Sequence, residues 1–315
     1  MRILLTCAAI VAGGTLVFGQ SAGAPRQGAP PETGRGGVFA PITDVAYGDY
    51  ADYTSLWDGR TLNGWDGESD VWSIENGAIH ADTTKTPGQH HLHYKGPNAV
   101  MKDFDLKVEF KISATGANGG IQYRSRLLMA PRKGSVQNPL GSPMPPGVTT
   151  FLAAVQAGVA ERAPARQGGG GQGGGNPAPP RPTDGFQNPW QVSGYQFDLD
   201  SNNRYTGQLY EGQGRGIVNP PGGLVELVAG KQNRVGIVNA NPVAAVKPHN
   251  GLVGEWQQVH VIARGNTLVH VLNGQIITAT IDDDPGSRAL QGILSLQLEG
   301  SGQIWYRNVY VRHLP

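Results

Sequence analysis

Cysteine is almost missing from this sequence: one in 315 residues, Cys7. It lies inside an N-terminal apolar run, Ile3 to Phe18, that follows Met1-Arg2 and gives way to small and polar residues. One basic residue, a short apolar stretch and a small-residue exit read as a secretory signal peptide, residues 1–19, with cleavage after Gly19. An uncleaved anchor is the alternative, although the run is shorter than the ~20 residues a span needs. Cys7 comes too early in the run to accept a lipid. The mature chain would then carry no disulfide, no Cys-ligated metal and no thiol nucleophile. That suits a periplasmic or secreted protein that relies on a hydrophobic core.

Charge is scarce as well. Charged residues make up 16% of the chain, the formal net charge is +1, and no basic stripe stands out, so nucleic acid is not an expected partner. No later run is long and apolar enough to span a bilayer, and no membrane contact is expected beyond the export signal. Gly168–Gly175 is followed by neither Lys-Ser/Thr nor a helix, which excludes a phosphate loop. The candidate core contains no long stretch of 3.6-residue periodicity.

What is present is alternation, in short apolar runs separated by many of the 47 Gly and 23 Pro. In Phe104–Ile112, Leu106, Val108, Phe110 and Ile112 fall on one face and Asp105, Lys107, Glu109 and Lys111 on the other. In Gly119–Ser125, Ile121 and Tyr123 oppose Gln122 and Arg124. Period-2 alternation marks strands with one face in a core. The turn-forming linker Ser113–Asn118 predicts that the two pair as an antiparallel hairpin. Further strands are expected at Trp72–Glu75, Ala78–Ala81, Leu92–Tyr94, Tyr195–Leu199, Leu224–Val228, Arg234–Val238, Trp256–Arg264, Thr267–Leu272, Gln275–Ile281, Gly292–Leu298 and Ile304–Arg312. Asn76-Gly77 and Asn273-Gly274 each separate two such runs and signal two-residue turns with both residues at positive φ; Arg264–Thr267 is a third hairpin turn.

So many short strands imply an all-β fold of two packed sheets, a β-sandwich. Residues 20–46 are Pro/Gly/Ala-rich and read as a flexible lead. Residues 47–315 form a single sandwich domain with a Gly/Pro-rich, disordered insertion at about 127–193. Within it Val148–Ala160 is apolar enough to pack as a short helix.

Several segments together carry a family likeness. Leu56–Trp65 (LWDGRTLNGW), Trp72–Ile79 (WSIENGAI), Gly194–Asp200 (GYQFDLD) and Thr206–Tyr210 (TGQLY) occur in order. Gly254-Glu255-Trp256, Asn273-Gly274, Leu296-Gln297 and Arg307-Asn308-Val309 follow. Over about Ser55–Leu314, insertion excluded, the chain resembles the 3-keto-disaccharide hydrolase domain family. The resemblance implies a concanavalin A-like jelly roll whose concave sheet binds sugar, and cleavage of 3-keto-glycosides. In that chemistry the C3 ketone acidifies the C2 hydrogen, a base removes it, the enolate expels the C1 substituent, and water adds to the product. This chain departs from the pattern at Gln196, where members usually have Glu, at Asp198, where they have Gln, and at Asn118-Gly119-Gly120, which replaces Asn-Ser-Gly.

Alternation gives the family's sheet a lining. Gln196, Asp198 and Asp200 share one strand face, as do Ser295, Gln297 and Glu299. Beside Glu109, Gln122 and Arg124 they would form a groove of carboxylates, amides and a guanidinium, suited to an oxidised glycoside; a solvated face with ion pairs is the plain alternative. Under the family's chemistry Glu109 or Asp198 is the candidate base, and Arg124 stabilises the enolate or orients a carboxylate. Tyr210, Glu211 or a His would protonate the leaving group. Gln122, Gln196, Asp200, Gln297, His91, His93 and Trp190, the last by ring stacking, are the candidate substrate contacts. No metal or cofactor is expected. His90-His91-Leu92-His93 offers two ligands on one face and is read as an exposed cluster, and Asp282-Asp283-Asp284 as a solvated acidic turn. Two further readings stand: a non-catalytic carbohydrate-binding module, and a conventional hydrolase with paired carboxylates.

Overall fold

Alternate burial along the strands sets the architecture. In Gln257–Arg264 and Thr267–Leu272 every second residue is buried and its neighbours are half-buried or exposed. A computed structural model describes residues 47–113, 116–128, 190–229, 231–247, 249–250 and 253–315. The expected signal peptide, the lead 20–46, the helix at 148–160 and nearly all of the insertion lie outside the described residues.

The strands among the described residues, numbered in chain order, build two large sheets. The ten-stranded sheet runs β12 (Lys231–Ile237), β11 (Gly223–Val228), β17 (Gln275–Asp282), β16 (Thr267–Leu272), β15 (Gln257–Arg264), β6 (Phe104–Ile112), β19 (Gln303–His313), β4 (Ala78–Asp82) and β3 (Trp72–Glu75), with β1 (Thr54–Ser55) on β19. The seven-stranded sheet runs β10 (Gly216–Asn219), β9 (Leu209–Gly212), β8 (Val192–Asp200), β7 (Ala117–Leu127), β18 (Ile293–Gly300), β5 (Gly88–Tyr94) and β2 (Trp65–Gly67). β13 (His249–Asn250) and β14 (Val253–Gly254) form a small ribbon. The pairing is antiparallel except between β11 and β17.

The inner faces share one apolar core. Leu106, Val108 and Phe110 of β6 and Val259 and Val261 of β15 meet Ile121, Phe197, Leu296 and Leu298 from the other sheet. Each such side chain contributes roughly 1.5–3 kcal/mol by leaving water. Tyr306 of β19 reaches across this core, its hydroxyl 2.7 Å from the Gln297 carbonyl and 3.2 Å from that of Gly120. The result is the two-sheet sandwich of jelly-roll type that the alternation implied. Both Asn-Gly turns have the expected conformation, with φ of +50° and +70° at Asn76-Gly77 and +48° and +81° at Asn273-Gly274.

One expectation is overturned. β6 and β7 do not form a hairpin: β6 lies between β15 and β19, and β7 lies in the other sheet between β18 and β8. Both strands do turn their apolar faces to the core, but from opposite sides of it. The linker, with Gly116 at φ +78°, carries the chain from one sheet to the other. Among the described residues no helix is long and apolar enough to cross a membrane.

Candidate functional site

Because paired residues of neighbouring strands project to the same side, the register defines what lines the outer face of the seven-stranded sheet. One row runs Asp66 (β2), His93 (β5), Ser295 (β18), Gln122 (β7), Gln196 (β8) and Tyr210 (β9). The next runs His91, Gln297, Gly120 and Asp198, and a third runs Gln89, Glu299, Asn118 and Asp200. Four strands of the middle row span about 14 Å at ordinary strand spacing. Asp66, His91, His93, Gln122, Gln196, Asp198, Ser295 and Gln297 are all buried.

Asp198 is the chemical centre of this face. Its Oδ1 accepts from Gln196 Nε2 at 2.8 Å and its Oδ2 from Gln208 Nε2 at 2.6 Å. Burial, with a smaller push from Glu299 and Asp200, raises its carboxyl to about 7, while the two amides oppose the rise. The Gln196 amide can lie over β7 because position 120 is glycine: a Cβ there would fall 2.4 Å from Gln196 Cδ.

The other rows leave polar atoms open. Gln122 Nε2 donates to His91 Nε2 at 3.2 Å, so the proton of the neutral imidazole is on Nδ1. Burial holds His91 down at about 3 and His93 well below its ordinary range, so both rings are neutral at pH 7. His93 Nδ1 is 2.7 Å from Ser295 Oγ. His91 Nδ1, Gln122 Oε1, Gln297 Oε1, Asn118 Oδ1 and Asp66 Oδ1 are buried without a protein partner. Buried polar atoms normally have partners, so five such atoms on one face make a receptive surface of four acceptors and one donor. The chain entering β8 arches over this sheet: Gln191 Nε2 donates to Gln89 Oε1 at 2.6 Å, and the Trp190 backbone reaches the His93 ring.

The sequence-predicted residues divide accordingly. Gln122, Gln196, Asp198, Gln297, His91 and His93 come together on this face, with Tyr210 and Asp200 in its rows. The Asp200 carboxylate, however, is occupied by the following turn, accepting from the Arg204 and Asn202 backbone N–H groups and from Arg204 Nε. Trp190 is buried beside the face rather than presented as an open ring.

Glu109 and Arg124 are elsewhere, so the shared groove of Glu109, Arg124 and Asp198 does not exist. Glu109 is on the outer face of the opposite sheet, accepting from Arg307 Nε at 2.7 Å. Arg124 falls in a β-bulge at φ +46°, which turns its side chain to the end of the sandwich. There it donates to the carbonyls of Lys102, Gly265 and Ala289 and to Asp103. Glu211 pairs with Tyr195 in register and so faces inward, where Arg215 bridges it to Asp282.

Two other expectations change. The His cluster is not exposed, since His91 and His93 are fully buried. Asp282 is likewise buried, held by Arg215 and by the Tyr195 hydroxyl. Trp256 lies half-buried on the outer face of the ten-stranded sheet, against Lys111 and Arg307. Gln208, Asp66 and Asn118 were not singled out from sequence. Gln208 lies in a turn, where period-2 alternation carries no information, and Asp66 lies in a three-residue strand too short to show a period. Ser295 and Asn118 needed only the register.

A two-sheet β-sandwich with one buried, polar, incompletely partnered sheet face defines the class of this protein. The chain belongs to the 3-keto-disaccharide hydrolase family: the model of the 3-keto-alpha-glucoside-1,2-lyase-like domain matches residues 52–169 and 181–312. Among solved structures, it is similar to a protein from Parabacteroides distasonis provisionally assigned as a glycosyl hydrolase, at 15% identity over 84% of this chain and 95% of that one, TM-score 0.40. It is also similar to carbohydrate binding module CBM66 from Bacillus subtilis, at 11% identity over 79% and 95%, TM-score 0.39. A Bacillus subtilis protein with a galectin-like fold matches at 11% identity over 83% and 98%, TM-score 0.44. No curated protein matches the sequence significantly.

Proposed function

We propose that the outer face of the seven-stranded sheet binds a 3-keto-glycoside and that Asp198 is the base that opens it. The observation that carries this reading is the state of Asp198: a buried carboxyl raised to about 7, framed by two amides, in a row with unpartnered polar atoms. A base near pH 7 combines a useful ionised fraction with real proton affinity. Asp198 takes the C2 proton, and the C2–H electrons become the enolate of the C3 ketone. As the enolate collapses, the C1–O bond breaks and a C1–C2 double bond forms; the departing oxygen takes a proton, and water then adds to the enone. The neutral His91 has its Nδ1–H free to donate to developing negative charge, while Gln122, Gln297 and Asn118 offer acceptors to sugar hydroxyls.

Purified protein offered a 3-keto-glucoside and its unoxidised parent tests the reading. Release of the aglycone from the keto compound alone, lost in Asp198→Asn, is expected. Binding of both compounds without turnover would overturn it in favour of a carbohydrate-binding module, and equal cleavage of both would favour a conventional hydrolase.

A further inference from the structure

His270 is a buried histidine that the proposed reaction does not use. It projects from β16 of the ten-stranded sheet into the core, between Tyr123 and Phe197, and is fully buried. Its Nδ1 lies 3.0 Å from the Gly207 carbonyl and its Nε2 2.8 Å from the Tyr123 hydroxyl. A carbonyl can only accept, so Nδ1 carries the proton and Nε2 accepts from Tyr123. Burial depresses the ring to about 4, which keeps it in this neutral form.

Gly207 belongs to the turn between β8 and β9, on the other sheet. The turn is clamped at several points. Gly207 N–H donates to the Asp198 carbonyl at 2.8 Å, and Asp198 N–H donates to the Gln208 carbonyl at 3.2 Å. Gly207 has φ +90°, and a Cβ there would meet Ile277 of β17 at 2.7 Å. Thr278 Oγ1 approaches the same Gly207 carbonyl at 3.4 Å. The next residue, Gln208, gives its amide to Asp198 Oδ2.

We infer that His270 is a positioning residue: from the opposite sheet it fixes the Gly207–Gln208 turn that presents the Gln208 amide to Asp198. The inference rests on the proposed role of the Asp198 face but concerns a different contact, and it is testable without substrate. The Gln208 amide stabilises the carboxylate form, so loosening the turn makes Asp198 harder to ionise. The other groups that bear on Asp198 are Glu299 from β18, Asp200 from β8, Tyr205 from the turn and Tyr306 from β19. Of these only Tyr205 sits in the turn itself, and burial keeps it a neutral phenol that adds no charge beside Asp198.

Two polar variants separate the two bonds of the ring. His270→Asn places an amide near the Nδ1 position and can keep the bond to Gly207. His270→Gln reaches the Nε2 position and can keep only the bond to Tyr123. The side-chain carboxyl 13C shift of Asp198, titrated in labelled protein, is the readout. The Asp198 midpoint is expected to rise by about one unit in His270→Gln, the size of one lost charge-assisted hydrogen bond, and to stay in place in His270→Asn. Equal midpoints in both variants would overturn the inference, because a merely structural histidine would affect both alike. If either variant fails to fold, the imidazole 15N spectrum of the wild type decides. An exchange-protected proton on Nδ1 of His270 supports the contact, and a proton on Nε2 refutes it. Failure of the keto-sugar assay would leave these titrations intact, so the two proposals fail separately.

Discussion

Asp198→Asn should stabilise the protein while abolishing its chemistry. The folded state holds the Asp198 carboxyl at about 7 against an ordinary value of 3.8. A carboxyl raised in this way binds its proton more tightly when folded. Its contribution is therefore fully present below the unfolded value and is lost as pH rises through 7. Above that the loss is constant. About three units correspond to about 4 kcal/mol between pH 4 and pH 8. Asparagine has no charge to desolvate, so the variant escapes this loss. It does meet one mismatch, because Gln196 and Gln208 both donate to the carboxylate, and one of those amides must turn over, at about 1 kcal/mol. Urea unfolding of both proteins across this range should show the variant slightly less stable at pH 4 and about 3 kcal/mol more stable at pH 8. Other titrating groups cancel in the difference. A difference that stays flat with pH would refute the buried, protonatable state of Asp198, and with it the case for this residue as the base.

The remaining predictions follow from where the other residues lie. Glu109→Gln should cost less than about 1 kcal/mol, because its Arg307 partner is more than a third exposed and screened by solvent, and it should leave keto-sugar turnover unchanged; a selective loss of turnover would contradict its placement. Arg124→Met should cost about 3 kcal/mol by stranding three carbonyls and leaving Asp103 without its cation, held by the Gly265 N–H. It should lower the thermal midpoint and leave kcat of the folded fraction alone. Gly120→Ala should do the opposite. Its methyl group would displace the Gln196 amide from Asp198, so activity should fall steeply with little change in the urea midpoint, and wild-type turnover would show that the Gln196 contact is dispensable.

How much of this was legible in the sequence depended on which quantity alternation encodes. It encodes the apolar face of a strand, and on that count β6 and β7 match expectation residue by residue. It does not encode the sheet a strand joins. Leu106 and Val108 would alternate identically in a hairpin with Ile121 and Tyr123 or across a core from them, so the turn-rich linker Ser113–Asn118 was open to either use. The placement of Glu109 failed for that reason alone. Arg124 failed for another: a bulge breaks the period of two locally, and nothing in Tyr123–Ser125 announces it. By contrast Gln196, Asp198 and Gln297, on unbroken strands of one sheet, were readable from alternation once the sheet was known. Gln208 was not, because it acts from a turn.

The deeper distinction lies between the two outer faces. Both carry alternating polar residues, and by composition they look alike. On the ten-stranded sheet the charges close on one another. Glu109 meets Arg307, Asp105 takes Arg312 and His260, and Lys107 is held by the Tyr47 and Asp49 carbonyls amid three tyrosine rings. Its carboxylates are closed by cations, and the buried atoms it leaves without partners, His80 Nε2, Trp305 Nε1 and Arg312 Nε, are all nitrogens. On the seven-stranded sheet His91, Gln122, Gln297 and Asn118 are equally buried or half-buried yet keep polar atoms without partners, and the carboxyl at its centre is pushed toward neutrality rather than paired with a cation. Desolvating polar groups and leaving them open costs free energy. The seven-stranded face gathers open acceptors around a carboxyl that no cation closes, whereas Glu109 and Asp105 on the other face are each closed by an arginine, and that difference supports Asp198 over Glu109 as the proposed base.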